Sequence, residues 1–402
     1  MPKTVLAINA GSSSIKFALF DTGAPPRRRL SGALERIGMG GATLSYRREE
    51  GGETSVEPLG PLDRRAAAQS LGTWLDRQVG LASIGAIGHR LVHGGPRYGA
   101  PVRITDEVLA ELHRVVSFAP EHLPAAIELI VHFGTEAPNL PQVACFDTSF
   151  HWQMPQVAKL LALPRRFEAN GVRRYGFHGL SCAYLMEELA RRSGSDAAAG
   201  RVILAHLGNG ASLTAVTNGK SIDTSMGFTP AAGMPMSTRS GDLDPGLVLY
   251  CGDAEGMSAI EFNAMVNHQS GLLGVSETSS DMRDLLAKEA DDPRAAEAVA
   301  LFCYQAKKFI GAYAAALGGL DILVFAGGIG EHASPVRARI CEGLSFLGIT
   351  IDVGRNLENA PLISPDGARV SVHVIATNEE LMIATATGSL LGVSGGATPS
   401  EG

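Results

Sequence analysis

The chain has few cysteines and no long apolar run, and each absence excludes a class of protein. Its five cysteines are scattered over 402 residues without Cys-x-x-Cys spacing, so neither a disulfide framework nor a zinc site is indicated. We expect them to be buried thiols. No stretch reaches the roughly 18 apolar residues of a transmembrane helix, and the N-terminus lacks a secretory pattern. These absences predict a cytoplasmic protein with no membrane partner.

Positive charge is also in deficit. The formal net charge is −7 and the pI is about 5.9, whereas a general nucleic-acid binder usually presents a basic surface. We therefore expect no nucleic-acid partner, and the cluster Arg27-Arg28-Arg29 is predicted to be a solvated turn. A chain with 45% hydrophobic residues at this length can bury a large core and form two or three domains.

The most informative stretch that is present runs from Val5 to Phe20, VLAINAGSSSIKFALF. An apolar run, a small polar loop and an alternating segment predict a strand, a tight turn and a second strand. Alternation places Ser12, Ser14 and Lys16 on one face. Close-packed backbone N–H groups, hydroxyls and one lysine suit a phosphate, although an ordinary Ser-rich hairpin explains this stretch alone equally well.

The same pattern recurs half a chain later. Arg201 to Val216 reads RVILAHLGNGASLTAV, and a third small-residue loop, Ala326 to Glu331, follows the apolar run Asp321 to Phe325. Two strand-loop-strand units at this separation predict an internally duplicated α/β protein that holds a nucleotide between its halves.

Polar residues follow several predicted strands. Arg90 is flanked by two histidines, and Asp147 follows the apolar segment Gln142 to Phe146. Strand ends expose side chains to ligands in open α/β sheets. For Arg90 the alternative is an ion pair with a surface carboxylate, and for Asp147 it is capping of the next segment. His178 precedes a predicted helix, where it is either a ligand group or a structural residue.

Helix signals are clear in several places. Thr105 is predicted to cap one helix, and Pro293 to Leu317 is predicted to be a long helix closed by Gly318-Gly319. Thr377 and Glu380 have the spacing of a capping box, which would leave Glu379 as the freer carboxylate.

Eleven segments taken together resemble the acetate kinase family, in the family's order and over nearly the whole chain. They are INAGSSSIKF, GHRLVHGG, FDTSFH, RRYGFHG, HLGNGAS, DTSMGFTP, TRSGDLDP, SGLLG, SSDMRDL, FAGGIGEH and TNEEL. The resemblance implies an α/β protein with the duplicated ribonuclease H-like fold of the actin-like ATPases, in two domains with an active-site cleft between them. It implies an N-terminal domain of residues 1–150 completed by the last helix at 378–392, a nucleotide-binding domain of residues 151–377, and a disordered tail at 394–402.

The resemblance also implies the reaction and its participants. These are reversible phosphoryl transfer between ATP and acetate, giving ADP and acetyl phosphate, with Mg²⁺, for which Mn²⁺ can substitute, in a homodimer.

Family positions carry over residue by residue. Those implied to be catalytic are Asp147, Arg90, His178, Arg239, Asn209 and His122. Those implied to hold the nucleotide are Ser12, Ser14, Lys16, His206, Leu207, Gly208, Asn209, Gly210, Asp281, Met282, Arg283, Gly328, Ile329, Gly330, Glu331 and His332. Arg90, Val92, Phe177 and Pro230 are implied to contact the acid, and Asn9, Glu379 and Asp147 the metal ion.

Four positions depart from the family pattern. Glu121 stands where an apolar residue usually lines the acyl pocket, and a carboxylate there would repel a small anion unless it turns away or pairs with arginine. Ser237, Cys182 and Thr385 also differ, and the sequence gives them no functional interpretation.

Three other functions remain as alternatives. A propionate-preferring kinase of the same family differs by one or two methylenes of pocket space, which supports only about 10 to 200-fold discrimination. An ATP-hydrolysing module that changes shape is a second alternative, which the paired arginines and histidines disfavour. A sugar or polyol kinase is a third, but no acceptor-domain motif beyond the shared fold supports it.

Overall fold

The computed structural model describes residues 4–11, 13–23 and 26–392, so the predictions for Ser12 and for the tail at 394–402 lie outside the described residues. In chain order, the elements up to residue 146 are β1 (Thr4–Ala10), β2 (Ser14–Asp21), β3 (Arg27–Glu35), β4 (Ala42–Arg48), β5 (Thr54–Gly60), α1 (Arg64–Val79), β6 (Ala86–Leu91), β7 (Val102–Arg103), α2 (Asp106–Arg114), α3 (Leu123–Glu136) and β8 (Gln142–Phe146).

The remaining elements are α4 (Gln156–Lys159), α5 (Arg165–Ala169), α6 (Gly179–Ser193), α7 (Ser195–Ala199), β9 (Val202–Leu207), β10 (Ala211–Thr217), β11 (Lys220–Thr224), α8 (Leu247–Glu255), α9 (Ala259–His268), α10 (Gly271–Ser276), α11 (Met282–Lys288), α12 (Pro293–Leu317), β12 (Ile322–Ala326), α13 (Gly327–His332), α14 (Ser334–Cys341), α15 (Val353–Leu357), β13 (Ser371–Val374) and α16 (Glu379–Leu390). Short 3₁₀ turns cover 81–83, 115–118, 149–151 and 345–347.

The chain divides into two compact units. One holds the described residues up to Ser149 together with those from Asn378 onward, and the other spans Phe150–Thr377.

The first unit is built on an eight-stranded sheet in the order β5-β4-β3-β2-β1-β6-β8-β7. Strands β1, β6 and β8 are parallel, and the strands from β1 to β5 pair antiparallel. Because the three parallel strands end at the same edge, residues at their carboxyl ends lie side by side. Helix α16 packs on β1 and β6, so residues 379–390 belong to this unit although they follow the second unit in sequence.

The second unit repeats that plan. Its five strands lie in the order β11-β10-β9-β12-β13, with the first three antiparallel and β9, β12 and β13 parallel. Strands β3-β2-β1-β6-β8 of the first sheet have the same order and directions. The prediction of a duplicated, two-domain α/β fold is therefore confirmed.

Glycine allows close packing in the first core. Trp74 of α1 packs edge-on against Phe17 and Tyr46, with ring centroids 5.4 and 4.8 Å away. Gly32 lies beneath this cluster, where a methyl group would stand 2.5 Å from the Phe17 ring. A side chain at that position would push the ring off the sheet.

Several local predictions are confirmed. The hairpin at the start of the chain forms β1 and β2, and Thr105 accepts a hydrogen bond from the N–H of Val108 at the start of α2. Helix α12 runs from Pro293 to Leu317 and ends at Gly318, whose φ of 70° requires the left-handed region that glycine adopts readily.

Other predictions are wrong. Arg27, Arg28 and Arg29 are exposed, as predicted, but they begin strand β3 instead of forming a turn. The third small-residue loop is helix α13 from Gly327 onward. Cys251 is half-exposed, whereas the other four cysteines are buried as predicted.

The cap of α16 also differs from the prediction. Its N-cap is Asn378, whose side chain accepts from the N–H of Leu381, so Thr377 and Glu380 form no capping box. The Thr377 hydroxyl instead donates to Oγ of Ser181 at 2.9 Å.

Within the described part of the chain, no helix combines the length and the apolar character that crossing a bilayer requires.

Candidate active site

A cluster of carboxylates around one arginine lies at the carboxyl edge of the first sheet. Arg90 near the end of β6 is paired in register with Asn9 on β1, and Asp147 directly follows β8. The Arg90 guanidinium donates to Oδ2 of Asp147 from Nε at 2.9 Å and from Nη2 at 2.5 Å, and to Oδ1 of Asn9 at 3.2 Å. The Asn9 amide donates to Glu379 at 2.9 Å and to Glu380 at 3.4 Å.

Burial sets the electrostatics of this cluster. The side chains of Arg90 and Asp147 are 16% and 1% exposed. Burial raises the pKa of Asp147 to about 6, with Glu379 adding to the rise and Arg90 opposing it, so the carboxyl is mostly ionised at pH 7. Burial alone would lower the pKa of Arg90, but Asp147 and Glu379 more than compensate and hold it above its ordinary value. The carboxylates of Asp147, Glu379 and Glu380 all favour the charged form of the Arg90 guanidinium.

The donor atoms of this cluster fit a hard divalent cation. Oδ1 of Asp147 is buried and has no hydrogen-bond partner among the described residues. Carboxylate oxygens of this kind are the ligands that such cations prefer. The described residues contain no group of three or more His, Cys, Asp or Glu side chains close enough to hold a metal by themselves. A cation here would consequently keep several waters, as Mg²⁺ characteristically does.

The second unit brings two histidines together at the end of β9. His178 directly precedes α6 in a left-handed conformation, with φ 58° and ψ 25°. Its Nδ1 lies 2.9 Å from Oγ of Ser212, and its ring stacks on His206 with centroids 4.2 Å apart. Nδ1 of His206 lies 2.8 Å from Oγ of Ser181. The hydroxyls of Ser212 and Ser181 thus hold the imidazole rings of His178 and His206 through their Nδ1 atoms.

The small-residue loop after β9 lies against His178. A methyl group at Gly210 would stand 3.1 Å from Nε2 of His178 and 3.6 Å from Nη1 of Arg239. A methyl group at Gly208 would stand 3.8 Å from the backbone N of Gly328, at the start of α13. The absence of side chains therefore leaves a backbone-lined space beside an imidazole and a guanidinium, which suits phosphate oxygens.

Asn209 and Arg239 are held by their neighbours. The N–H and the hydroxyl of Ser237 donate to the carbonyl and to Oδ1 of Asn209, at 3.2 and 3.3 Å. Nη1 of Arg239 donates to the carbonyl of Pro230 at 3.3 Å. Ser237, which the sequence left without an interpretation, therefore orients the exposed Asn209 amide.

The other predicted nucleotide segments have identifiable local structure. Asp281 caps α11 and pairs with the exposed Arg283 at 2.5 Å, a contact that lowers the pKa of this carboxyl, while Met282 is buried. Oε1 of Glu331 in α13 accepts from the N–H groups of Gly327 and Thr377, at 3.0 and 3.3 Å. His332 is exposed.

The remaining predicted residues are placed within their own units. Ser14 and His122 are half-buried, and Lys16 is exposed beside a cavity of about 320 Å³ that Arg28, Arg47 and Glu380 also line. Val92 in the first unit and Phe177 in the second are buried, and Leu207 and Gly330 are buried as well. Pro230, Ile329 and Glu121 are half-buried. Cys182 lies behind β10, where its thiol donates to Thr214 at 3.7 Å, and nothing in the structure explains Thr385.

One residue with a clear role was missed. Arg337 of α14 is fully buried, and its guanidinium donates to the carbonyls of Gly330 and Glu331 at 2.8 and 3.0 Å. It also donates to the Asn356 side chain and carbonyl, both at 2.8 Å. Arg337 thereby anchors the C-terminal end of α13. A surface-type residue in a polar helix carries no sequence signal for such burial.

Comparison with known proteins gives matches over nearly the whole chain. The sequence matches the Acetokinase family over residues 4–385. A propionate kinase from Citrobacter rodentium and an acetate kinase from Rhodopseudomonas palustris are each 45% identical to it, covering 96% of this chain and 96% and 97% of their own. The crystal structure of Porphyromonas gingivalis acetate kinase superimposes with a TM-score of 0.87 at 38% identity, covering 97% of this chain and all of that one. A propionate kinase from Francisella tularensis gives a TM-score of 0.89 at 38% identity, covering 96% of this chain and 99% of that one. The chain belongs to the acetokinase family.

Proposed function

We propose that this protein transfers the γ-phosphoryl group of ATP to acetate by direct in-line displacement, giving acetyl phosphate and ADP, and that it catalyses the reverse reaction. The observation that carries the proposal is the buried Arg90–Asp147 pair, joined to Asn9 and Glu379, in a chain of the acetokinase family. Since ATP is an intracellular metabolite, we place the reaction in the cytoplasm.

The acceptor needs no general base. A carboxylic acid with a pKa of about 4 to 5 is already ionised at pH 7, so the nucleophile is ready without proton removal. Asp147 therefore has a different task from the acid of a hydroxyl kinase, where a carboxylate accepts the acceptor's proton. We assign it to holding Arg90 and a cation.

The main obstacle is repulsion between an anionic acid and a polyphosphate. Arg90 and Arg239 supply fixed positive charge, and His178 supplies an N–H donor or a positive charge, while charge spreads over the equatorial oxygens of the transferring group. Arg90 also binds the acid carboxylate, with Val92, Phe177 and Pro230 around the acyl group. His122 assists at the same step.

The nucleotide is assigned to the small-residue segments. The backbone N–H groups of Asn209 and Gly210, and those of Gly328 and Gly330 in α13, are assigned to phosphate oxygens. The N–H of Gly208 donates to the carbonyl of Gly210 at 3.1 Å and so holds the shape of the loop. Ser12, Ser14 and Lys16 serve the phosphates from the first unit, and Asp281 to Arg283 contact the nucleoside.

Mg²⁺ is the proposed metal, with Mn²⁺ as a substitute. Asp147 through Oδ1 and Glu379 would hold it directly or through waters, while Asn9, whose amide already bonds Arg90 and Glu379, would fix their positions. When bound, such a cation neutralises charge on the β- and γ-phosphate oxygens.

A propionate kinase is the second candidate, since a propionate kinase from Citrobacter rodentium is as similar to this chain as an acetate kinase is. One assay separates the possibilities. The protein is incubated with Mg·ATP, hydroxylamine and acetate, propionate, butyrate or glycerol, and the acyl hydroxamate is measured. The acid with the largest kcat/KM is the substrate. Release of ADP without any acid and without hydroxamate would instead indicate an ATP-hydrolysing module and refute the proposal.

A homodimer is proposed as well. Helices α8 and α9 contain no buried residue. Their apolar residues Leu249, Tyr250 and Ile260 are 73%, 67% and 82% exposed. Neighbouring exposed apolar residues of this kind favour a protein–protein contact. Light scattering should give twice the chain mass, and Leu249→Glu combined with Ile260→Glu should give a monomer. A monomeric wild-type protein would refute this assignment.

A further inference from the structure

His151 is a buried histidine to which the proposed mechanism gives no role. It ends the 3₁₀ turn at 149–151, is 1% exposed, and makes two hydrogen bonds within the second unit. Its Nδ1 lies 2.9 Å from Oγ of Ser221, and its Nε2 lies 2.9 Å from the carbonyl oxygen of Phe177.

These partners fix the tautomer. A carbonyl oxygen can only accept, so Nε2 of His151 carries the proton and donates to Phe177. Burial lowers the pKa of His151 to about 4, which keeps the ring neutral at pH 7. Nδ1 is then an acceptor, and the Ser221 hydroxyl donates to it. Both ring nitrogens are satisfied in a single orientation.

The carbonyl that His151 holds belongs to the peptide preceding His178. That peptide sets the φ angle of His178, which lies in the left-handed region at 58°. A non-glycine residue there costs on the order of 1–2 kcal/mol and needs contacts that hold it. Gly176 leaves room for the ring, since a methyl group at that position would stand 2.7 Å from Cγ of His151.

The left-handed turn decides where the His178 imidazole lies. It places Nδ1 at Ser212 and Nε2 beside Gly210 and Arg239. We propose that His151 is a positioning residue, which holds the backbone before His178 through the Phe177 carbonyl and thereby directs Nε2 of His178 at the transferring phosphoryl group. The inference rests on the proposed function for its catalytic consequence, but not for the orientation of His178.

A double-mutant cycle tests the inference. His151→Phe keeps a ring against Gly176 without a donor, and kcat for hydroxamate formation should fall about 10 to 100-fold while KM for ATP and acid changes little, because a displaced catalytic group mainly affects the chemical step. His151→Gln retains an N–H donor and should recover most of the rate. In a His178→Ala background, His151→Phe should cause no further loss. His373→Phe, which removes a buried histidine from β13 of the same unit, is the matched control.

A spectroscopic readout separates this inference from the proposed function. In protein labelled with ¹⁵N-histidine, the imidazole signal of His178 should shift in His151→Phe and stay in place in His151→Gln. If the wild type forms no hydroxamate, the proposed function fails and the signal still decides the positioning role. If His151→Phe does not fold, Ser221→Ala, which frees the ring, should shift the signal in the same direction. An unmoved His178 signal, or a rate loss that persists in the His178→Ala background, overturns the inference.

Discussion

Arg90 donates two hydrogen bonds to one oxygen of Asp147, and the other oxygen of that buried carboxylate has no partner among the described residues. The two oxygens therefore differ: one is neutralised by the guanidinium and the other remains available to a cation. Asp147 can in this way hold Arg90 through one oxygen and still offer the other oxygen to a cation.

Arg90→Ala is expected to abolish most turnover and also to destabilise the first unit. Asp147 is 1% exposed and would lose the guanidinium that neutralises its charge, and breaking a buried ion pair costs about 3–5 kcal/mol. Urea denaturation and the hydroxamate rate measure both effects. Adding Asp147→Asn should restore stability without restoring turnover, and near-normal turnover in Arg90→Ala would remove Arg90 from the mechanism.

Arg239→Ala is expected to reduce turnover about 10³-fold with little loss of stability. Arg239 is only partly buried, so its removal exposes no buried charge, whereas an arginine at a transferring phosphoryl group contributes roughly this factor. Arg294→Ala, at an arginine that pairs with Glu277 and whose side chain is 54% exposed, is the control. Equal rates in the two variants would contradict the assignment of Arg239.

The local sequence pattern correctly predicted those strands and helices that depend mainly on their own residues. The alternation from Ile15 to Phe20 predicted β2, and Pro293 with Gly318 marked both ends of α12. Strand β3 was missed because its three leading arginines are polar and only its pairing with β2 and β4 makes it a strand. The predicted cap of α16 was wrong because the Thr377 hydroxyl donates a hydrogen bond to Ser181, 196 residues away in sequence.

The same distinction applies to the candidate site. Residues at strand ends, such as Arg90 and Asp147, could be placed from sequence because parallel strands end together. The roles of His151 and Ser237 could not, since their partners Phe177 and Asn209 are 26 and 28 residues away in sequence. Arg337 has near partners, the carbonyls of Gly330 and Glu331, but its burial depends on how α14 packs. No periodicity or motif reports such contacts.

Gly210→Ala is expected to lower kcat/KM strongly while leaving the fold intact. The added methyl group would stand 3.1 Å from Nε2 of His178 and 3.6 Å from Arg239, in the space assigned to phosphate oxygens. Gly311→Ala in α12, where nothing lies within 4 Å of the added methyl group, is the control and should be neutral or slightly stabilising. Wild-type kinetics in Gly210→Ala would exclude phosphate from this loop.

Arg337→Met is expected to destabilise the second unit by about 3 kcal/mol and to raise KM for ATP. The substitution leaves the buried carbonyls of Gly330 and Asn356 without donors and releases the end of α13. Arg339→Met, two residues along the same helix at a partly exposed ion pair with Glu289, is the control. Thermal unfolding and ATP titration of the initial rate measure the two effects. A stability loss with an unchanged KM would limit Arg337 to a structural role.

Acidification is expected to destabilise the protein between about pH 6.5 and 4. Burial lowers the pKa of His89 and of His151 from 6.5 to about 4. In this range the unfolded chain therefore binds protons that the folded chain does not, and the free energy of unfolding decreases as the pH decreases. Each histidine contributes on the order of 3 kcal/mol. Asp147 has the opposite sign: its raised pKa lets the folded state take up a proton first, and acidification through about pH 6 favours folding. Two histidines outweigh one carboxyl.

His89→Gln tests this pH dependence in the first unit. Nε2 of His89 lies 2.7 Å from Oε1 of Gln142, and the amide of a glutamine reaches that position and keeps a donor there without a titrating group. The slope of the unfolding free energy against pH should therefore decrease by about one proton between pH 6 and 4.5. His332→Gln, at a histidine whose side chain is 77% exposed, provides the comparison for urea titrations at each pH. An unchanged slope in His89→Gln would mean that the buried imidazole takes up its proton without unfolding.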